Sequence, residues 1–405
     1  MRVCCSLPGV GRDRAFWIIA ATNVLFLFAA AAPSPLYAVY AAKLHFSPIT
    51  LTEVFGVYAI ALLITLLFTG SLSDALGRRP VILAGLAIQL ISMLAFLFAS
   101  SVEWLFAARI LQGVATGLAT SALGASFVDL QPRQRPWLGP VVNSATPALG
   151  LALGALTAAT LVQYGPDPLR VVYLLLLVAF VIVLAAILVI PEPATQHGTM
   201  RWMPRVGVEP AIRPAFVAAM PSLVAGWGVA GFYLSLGPSL ILQLAGSSNR
   251  VLGGIAIFLL AGIGAASIVA FSSWTPSRAT SVGGSSMLVG LAVSVSAVAL
   301  GSPAMFFAGT AITGVGFGLG WLGVLRSLVG RSSPTARGAL LAAIYIVAYL
   351  SFAVPAVIAG VLTTQIGLHA AALWYGGAVG LLALAGLVGA LTIGRHPVRA
   401  AAVTP

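Results

Sequence analysis

Three groups of residues in this 405-residue chain could do chemistry. The first is G-S-L-S-D-A-L-G-R-R, from Gly70 to Arg79, lying between two long apolar runs. Asp74 and Arg78 are four positions apart, a spacing that lets a carboxylate and a guanidinium pair across a helical turn. Arg79 adds a second cation, while Gly70 and Gly77 permit close helix approach and a tight turn. The second is Arg109-x-x-Gln112-Gly113. Arg109 sits ~9 Å inside an apolar run, where an arginine costs several kcal/mol unless it meets water or a partner. Glu103, six positions earlier, falls on another face, so the partner must come from another helix, the substrate or a proton-linked group. A role at a central cavity is the expected reading for Arg109, with Gln112, Gly113, Glu53 and Asn23 as its companions in lining or coupling, and snorkelling to the surface is the alternative. The third is a pair of acids, Glu53 and Glu103, each opening an apolar run. They suit helix N-termini electrostatically, and a proton-coupling role is the alternative. No other carboxylate lies within the runs, so any proton coupling must use Glu53, Glu103, Asp74 or a network linked to Arg109.

Several chemistries find no support in the pattern. His45, His197, His369 and His396 have no metal-ligand spacing, and Cys4 and Cys5 are adjacent, a poor disulfide geometry. No metal and no cofactor is expected. There is no G-x-x-x-x-G-K-[ST] loop, so energy must come from a gradient, most simply of protons, or from the substrate. Clustered acid/base residues are lacking, and an enzyme is not expected.

The elements that must position these groups follow from composition. The chain is 60% hydrophobic and 7% charged, too little polar material to cover a soluble globule. Spans of ~20 apolar residues cross a bilayer as helices, because backbone groups in lipid must pair internally. Twelve runs fit, at 15–40, 52–70, 81–99, 103–128, 137–162, 170–190, 214–244, 250–272, 282–300, 303–328, 338–362 and 369–393. The net charge of +12 does not indicate nucleic acid. Of the 20 basic residues, sixteen fall on one side of these runs and three (Lys43, Arg170, Arg250) on the other, with Arg109 inside. That asymmetry predicts a multi-pass cell-membrane protein with both termini cytoplasmic, and it argues against reading the first run as a cleaved signal peptide.

The longest loop, 191–213, divides the runs six and six. F-A-A-R-I-L-Q-G-V-A-T-G-L from Phe106 resembles F-A-G-T-A-I-T-G-V-G-F-G-L from Phe307, aligning Gly113 and Gly117 with Gly314 and Gly318. Pro132-x-x-Arg135 and Pro334-x-x-Arg337 follow at nearly the same offset. Such a repeat predicts two pseudo-equivalent halves, 1–190 and 214–405, joined by a cytoplasmic linker.

With these motifs in order, the chain resembles the major facilitator superfamily over nearly its whole length. Gly70, Asp74, Gly77, Arg78 and Arg79 match its loop signature between helices two and three. Arg109, Gln112 and Gly113 match its helix-four signature, and Asp129 with Pro132 and Arg135 matches the end of that helix. It is most similar to the twelve-helix drug:proton antiporter branch, although helix five reads G-A-L-T-A from Gly154, with Pro147 upstream, where that branch has G-P-x-x-G-G. The resemblance implies an all-α fold of two six-helix bundles. It implies a cytoplasmic latch in which the hairpin meets Asp129 and Arg337 in the outward-facing state. It also makes helices one and seven gating helices. Asn23, Pro33, Pro35 and Tyr37 lie on the first of these, and Tyr233 and Pro238 on the second. Cavity candidates by depth and polarity are Tyr37, Tyr58, Gln112, Asn143, Trp227, Tyr233, Trp321, Tyr345 and Tyr349. The expected function is secondary active transport by alternating access, with proton-coupled export of small hydrophobic or weakly anionic compounds. Uptake or facilitated diffusion of a small nutrient is the alternative. Expected partners are the small-molecule substrate, protons and lipid, with the chain acting as a monomer.

Overall fold

The computed structural model describes residues 11–193, 205–333 and 335–393. Arg2, Cys4, Cys5, His197, Arg201, Pro334, Arg395, His396 and Arg399 lie outside them, as does the middle of the linker. Among the described residues there is no strand, and twelve helical segments are long and apolar enough to span a membrane. The first half comprises α1 (Arg12–Ala31), α2 (Pro33–Leu44), α3 (Pro48–Thr69), α4 (Leu72–Leu76), α5 (Arg78–Leu97), α6 (Val102–Leu130), α7 (Leu138–Tyr164) and α8 (Val171–Val189). The second comprises α9 (Arg213–Ser235), α10 (Gly237–Ala245), α11 (Val251–Ala270), α12 (Pro276–Leu300), α13 (Pro303–Arg331), α14 (Arg337–Ile366) and α15 (Leu368–Ile393). α2 prolongs α1 within one span, α10 continues α9 past a break at Leu236, and α4 is the short helix of the hairpin.

Every span expected from hydropathy is present. The largest displacement is in the ninth, which starts at Pro276 rather than 282. Thr275 caps that helix by accepting from the Arg278 N–H, with Pro276 at the first helical position. A cap followed by proline begins a helix even where the residues are polar.

Lipid offers no hydrophobic drive for helix association, so the spans pack through small residues that let backbones approach. α6 lies on α3 at Gly113 and Gly117. A methyl on Gly113 would be 2.5 Å from the Tyr58 carbonyl, and one on Gly117 2.7 Å from that of Leu62. α13 lies on α11 in the same way, where a methyl on Gly314 would be 2.8 Å from the Leu259 and Leu260 carbonyls, and one on Gly318 would collide with Gly264. The sequence repeat is therefore one backbone contact built twice. Gly150 and Gly154 likewise seat α7 against Val24 and Phe28 of α1. Large apolar side chains such as Ile182, Trp374 and Leu381 remain outward-facing, as expected of a surface solvated by lipid.

Candidate functional site

The hairpin is a carboxylate-bonded knot within the first half. Arg78 pairs with Asp74 through Nη1 and with Asp129 on α6 at 3.2 Å through Nε, and Nη1 also donates to the Ser73 hydroxyl at 3.0 Å. Arg79 donates to the Ile187 and Leu188 carbonyls at the end of α8. Gly77 has φ +97°, a conformation that favours glycine. Gly70 is ordinary helical backbone at the end of α3 and needs no glycine for its turn. A residue the sequence reading passed over completes the knot. Glu192, just beyond α8, accepts from the Arg78 N–H at 2.6 Å and the Arg79 N–H at 3.0 Å. It thus caps α5, where a carboxylate is electrostatically favoured, and stands so close that a methyl on Gly77 would meet it at 3.0 Å.

Arg337 does not join this cluster. It is exposed at the start of α14 and pairs with neither Asp74 nor Asp129 among the described residues. The expected cross-half latch is therefore open in this structure. The reason lies in where the halves touch. At the end opposite the hairpin, α3 meets α14, with Gly56 beside Ala353 and Val357, Thr52 against Gly360, and the Phe55 and Phe352 rings 4.8 Å apart. α7 meets α11 at the same end, where a methyl on Gly254 would be 2.5 Å from Ala159 and Gln163 accepts from the Arg250 N–H at 2.9 Å. The seam is closed opposite the hairpin, and Arg337 stands exposed at the hairpin end.

Arg109 is fully buried, which rules out snorkelling, and its partners are neither carboxylate nor solvent. Nη1 donates to the Ala30 carbonyl at 3.0 Å and to Gln112 Oε1 at 2.6 Å, and Gln112 Nε2 donates to the Ala29 carbonyl at 2.9 Å. Pro33 explains this, because it has no N–H to offer the carbonyl four residues back, which is that of Ala29. The helix-four side chains therefore take up backbone acceptors at the proline break between α1 and α2. The guanidinium also lies 4.8 Å from the Tyr58 ring centroid, 5.6 Å from that of Tyr37 and 5.9 Å from that of Phe55. Arg109 Nε and Nη2 and the Tyr37 and Tyr58 hydroxyls make no hydrogen bond among the described residues.

A cavity of about 120 Å³ lies between the halves. Asn23 lines it from α1, Phe55 and Tyr58 from α3, and Asn143 and Pro147 from α7. The second half contributes Trp227 from α9, Phe317 and Trp321 from α13, and Tyr345, Tyr349 and Phe352 from α14. Trp227 is the hub, with ring centroids 5.2 Å from Tyr349, 5.5 Å from Trp321 and 6.0 Å from Phe352. Asn23 is fixed by donating to Thr146 at 2.8 Å. None of the eight Asp and Glu residues lines this space.

Several expectations need correction. Arg109, Gln112 and Tyr37 do not line the cavity; they sit behind Tyr58 and Phe55. Glu53, in the second turn of α3, and Glu103, in the first turn of α6, are both exposed, and neither lines the cavity. Gly113 is a packing contact with α3 rather than a lining residue. Tyr233 points into the second half, where its hydroxyl meets that of Thr310 at 2.7 Å and its ring stacks on Phe306. Pro35 is buried with Pro33 at the α1–α2 break, and Pro238 is buried against Gly253 just past the α9–α10 break. Phe55, Phe317 and Phe352 were missed because phenylalanine in an apolar run carries no sign of which way it faces.

The model for the Major Facilitator Superfamily matches residues 19–301. Multidrug resistance protein D of Escherichia coli is 41% identical over 66 residues, covering 16% of this chain and 17% of that protein. Multidrug resistance protein MdtL of Citrobacter koseri is 25% identical over 212 residues, 51% of this chain and 53% of its own length. The chain thus spans at most about half of the curated relatives named here. Among solved structures, a bacterial homologue of the human lysosomal transporter Spinster, inward-facing and occupied, superposes with a TM-score of 0.71 at 13% identity. That match covers 95% of this chain and 97% of the other.

Proposed function

The chain belongs to the Major Facilitator Superfamily, and we propose that it is a secondary active transporter that exports small hydrophobic or weakly anionic compounds in exchange for protons entering down their gradient. The central cavity carries this reading. It sits between the two halves and is lined by aromatic rings and amides with no carboxylate. Such a surface favours apolar and aromatic solutes and offers nothing to hold a cation by charge. At about 120 Å³ it is smaller than the usual range for small-molecule sites, ~300–1,000 Å³. Binding therefore requires the halves to part, and the open hairpin end is where they would do so. Tyr58 both lines the cavity and covers Arg109, so movement of its ring would give an anionic group access to the unpaired Nε and Nη2.

In this reading the hairpin lies on the cytoplasmic side, with both termini, and the chain works as a monomer in the cell membrane. The opposite state closes the hairpin end by bringing Arg337 to Asp74 and Asp129, and opens the α3–α14 seam. Asp74 and Asp129 are the carboxylates best placed to couple protons to this motion, since protonation of either weakens the knot around Arg78. The relatives named as multidrug resistance proteins support export. Uptake or facilitated diffusion of a nutrient stays as the second reading, because no acid lines the cavity.

The test is accumulation of fluorescent amphipathic compounds in efflux-deficient cells expressing the chain, with and without a protonophore. Neutral, anionic and cationic probes are compared, with Asp74→Asn as control. Lower accumulation of neutral and anionic probes, reversed by the protonophore and lost in D74N, is the expected result. Accumulation that rises on expression and ignores the protonophore would replace export with facilitated uptake.

A further inference from the structure

A second cavity, of about 350 Å³, lies at the hairpin end of the second half and shares no residue with the central one. It is enclosed by the ends of α9, α12, α13 and α15. Small residues on α9 and α15 make the space, and Arg326 and Arg331 from α13 supply charge. Ser222, Ser277 and Thr280 add hydroxyls, and no carboxylate lines it. Neither arginine forms an ion pair among the described residues; Arg326 is held by the Ser272 carbonyl, and Arg331 is exposed. α12 begins at this cavity, so its N-terminal dipole adds to the positive field.

We propose that this cavity binds a phosphate-bearing anion, the headgroup of an anionic phospholipid in the leaflet on the hairpin side. The chemistry common to any such ligand is a phosphate oxygen set between two guanidiniums, hydroxyl donors and a helix N-terminus. The lipid is the source that fits the surroundings. The cavity lies where four spans end, at headgroup depth. Basic pockets between spans on the positively charged side attract anionic headgroups for this reason. The inference is independent of the transport reading.

The test uses the full-length protein in zwitterionic detergent, with native mass spectrometry to count bound lipid and thermal unfolding as a second readout. Phosphatidylglycerol, phosphatidylcholine and inorganic phosphate are titrated separately. The expected result is selective retention of phosphatidylglycerol with a raised unfolding temperature, and binding about fivefold weaker in Arg331→Gln. Because removing Arg326 could disturb α13, the decisive variant is Ser277→Asp. It places a negative charge in the first turn of α12, which favours the helix while repelling the ligand. S277D should unfold at or above the wild-type temperature without lipid and lose the phosphatidylglycerol effect. Equal retention of phosphatidylglycerol and phosphatidylcholine, or wild-type binding in both R331Q and S277D, would overturn the proposal. Stabilisation by inorganic phosphate alone, with no preference for phosphatidylglycerol, would overturn the lipid assignment and leave a free-phosphate site.

Discussion

The bond between Gln112 and the Ala29 carbonyl allows a sharp test, because its cause lies in a different residue. Pro33 removes the N–H that would have satisfied Ala29, and Gln112 Nε2 supplies a donor from α6 instead, at 2.9 Å. Gln112→Leu leaves that buried carbonyl unpaired, at a cost of ~1–3 kcal/mol, and removes the Oε1 acceptor of Arg109, a charge-assisted bond of ~1.5–3 kcal/mol. The two losses share one network and will not add fully. The expected loss is ~3–4 kcal/mol of stability, seen as a fall of several degrees in apparent unfolding temperature. Pro33→Ala in the same chain restores the N–H and returns Ala29 to an intrahelical bond. It should recover the Ala29 share but not the Arg109 share, leaving a coupling energy of ~1–2 kcal/mol. The assay is thermal unfolding of wild type, Q112L, P33A and the double variant in one detergent, read as a double-mutant cycle. A coupling energy near zero would refute the account of the proline-freed carbonyl.

Other perturbations address the seam and the linker. Gly360→Leu drives a side chain into Thr52 at the α3–α14 contact. Overpacking of ~1–3 kcal/mol should shift the population about tenfold toward opening at that end. Ser144 of α7 also lines the central cavity, so labelling of S144C by an impermeant maleimide from the side opposite the hairpin, in a chain lacking Cys4 and Cys5, should accelerate accordingly; unchanged labelling would mean the seam is not a gate. Glu209 accepts from the Ser333 hydroxyl at 2.7 Å and from its N–H at 3.0 Å, and those bonds hold its carboxyl below the usual range. A depressed folded-state value means the stabilisation is full above the unfolded value, about 4.3, and is lost as pH falls through the folded one. The gap in unfolding temperature between wild type and Glu209→Gln should therefore be constant from about pH 7 to 5 and close below about pH 4. A gap that persists in acid would assign it to something other than the carboxylate. Trp227→Ala removes the hub of the aromatic lining and should weaken binding of apolar probes about tenfold or more, since aromatic contacts carry much of the affinity of such sites. Equal quenching titrations in both chains would remove Trp227 from the site.

What the sequence disclosed depends on whether the signal was local. The spans were legible because the need for ~20 apolar residues is written along the chain. The Asp74–Arg78 pair was legible because both partners lie on adjacent turns. The glycine repeat was legible because close backbone approach tolerates no side chain, so Gly113 and Gly314 mark the same contact in each half. The partners of Arg109 and Gln112 were not legible, since backbone carbonyls on another helix, Ala30 and the proline-freed Ala29, leave no side-chain trace. Glu192 was hidden for the same reason: its ligands are two backbone N–H groups on another helix. Of the cavity candidates chosen by depth and polarity, Tyr58, Asn143, Trp227, Trp321, Tyr345 and Tyr349 face the centre, whereas Tyr37, Gln112 and Tyr233 point into their own halves. Depth can be counted from a span's end, but rotation about its axis cannot when apolar residues surround the helix.

The two halves share a backbone plan but divide the chemistry. The hairpin knot, the buried guanidinium and its tyrosine cover all belong to the first half. The second half has neither a paired acid nor a buried cation at the equivalent places: the turn between α11 and α12 is uncharged, and Arg278, in the first turn of α12, lies 4.1 Å over Trp274. It contributes most of the aromatic cavity wall instead. A rocking motion between such halves leaves the polar network of the first half internally bonded throughout, because each of its strong contacts is made within that half. Only the seam and the Arg337 side would exchange partners, and the seam is built from glycine, alanine and apolar side chains that separate without stranding a charge. That division keeps the cost of switching low in a medium where an unpaired charge is expensive. It also keeps the paired carboxylates, Asp74 and Asp129, apart from the aromatic cavity wall, so that a change in the knot would not touch that surface.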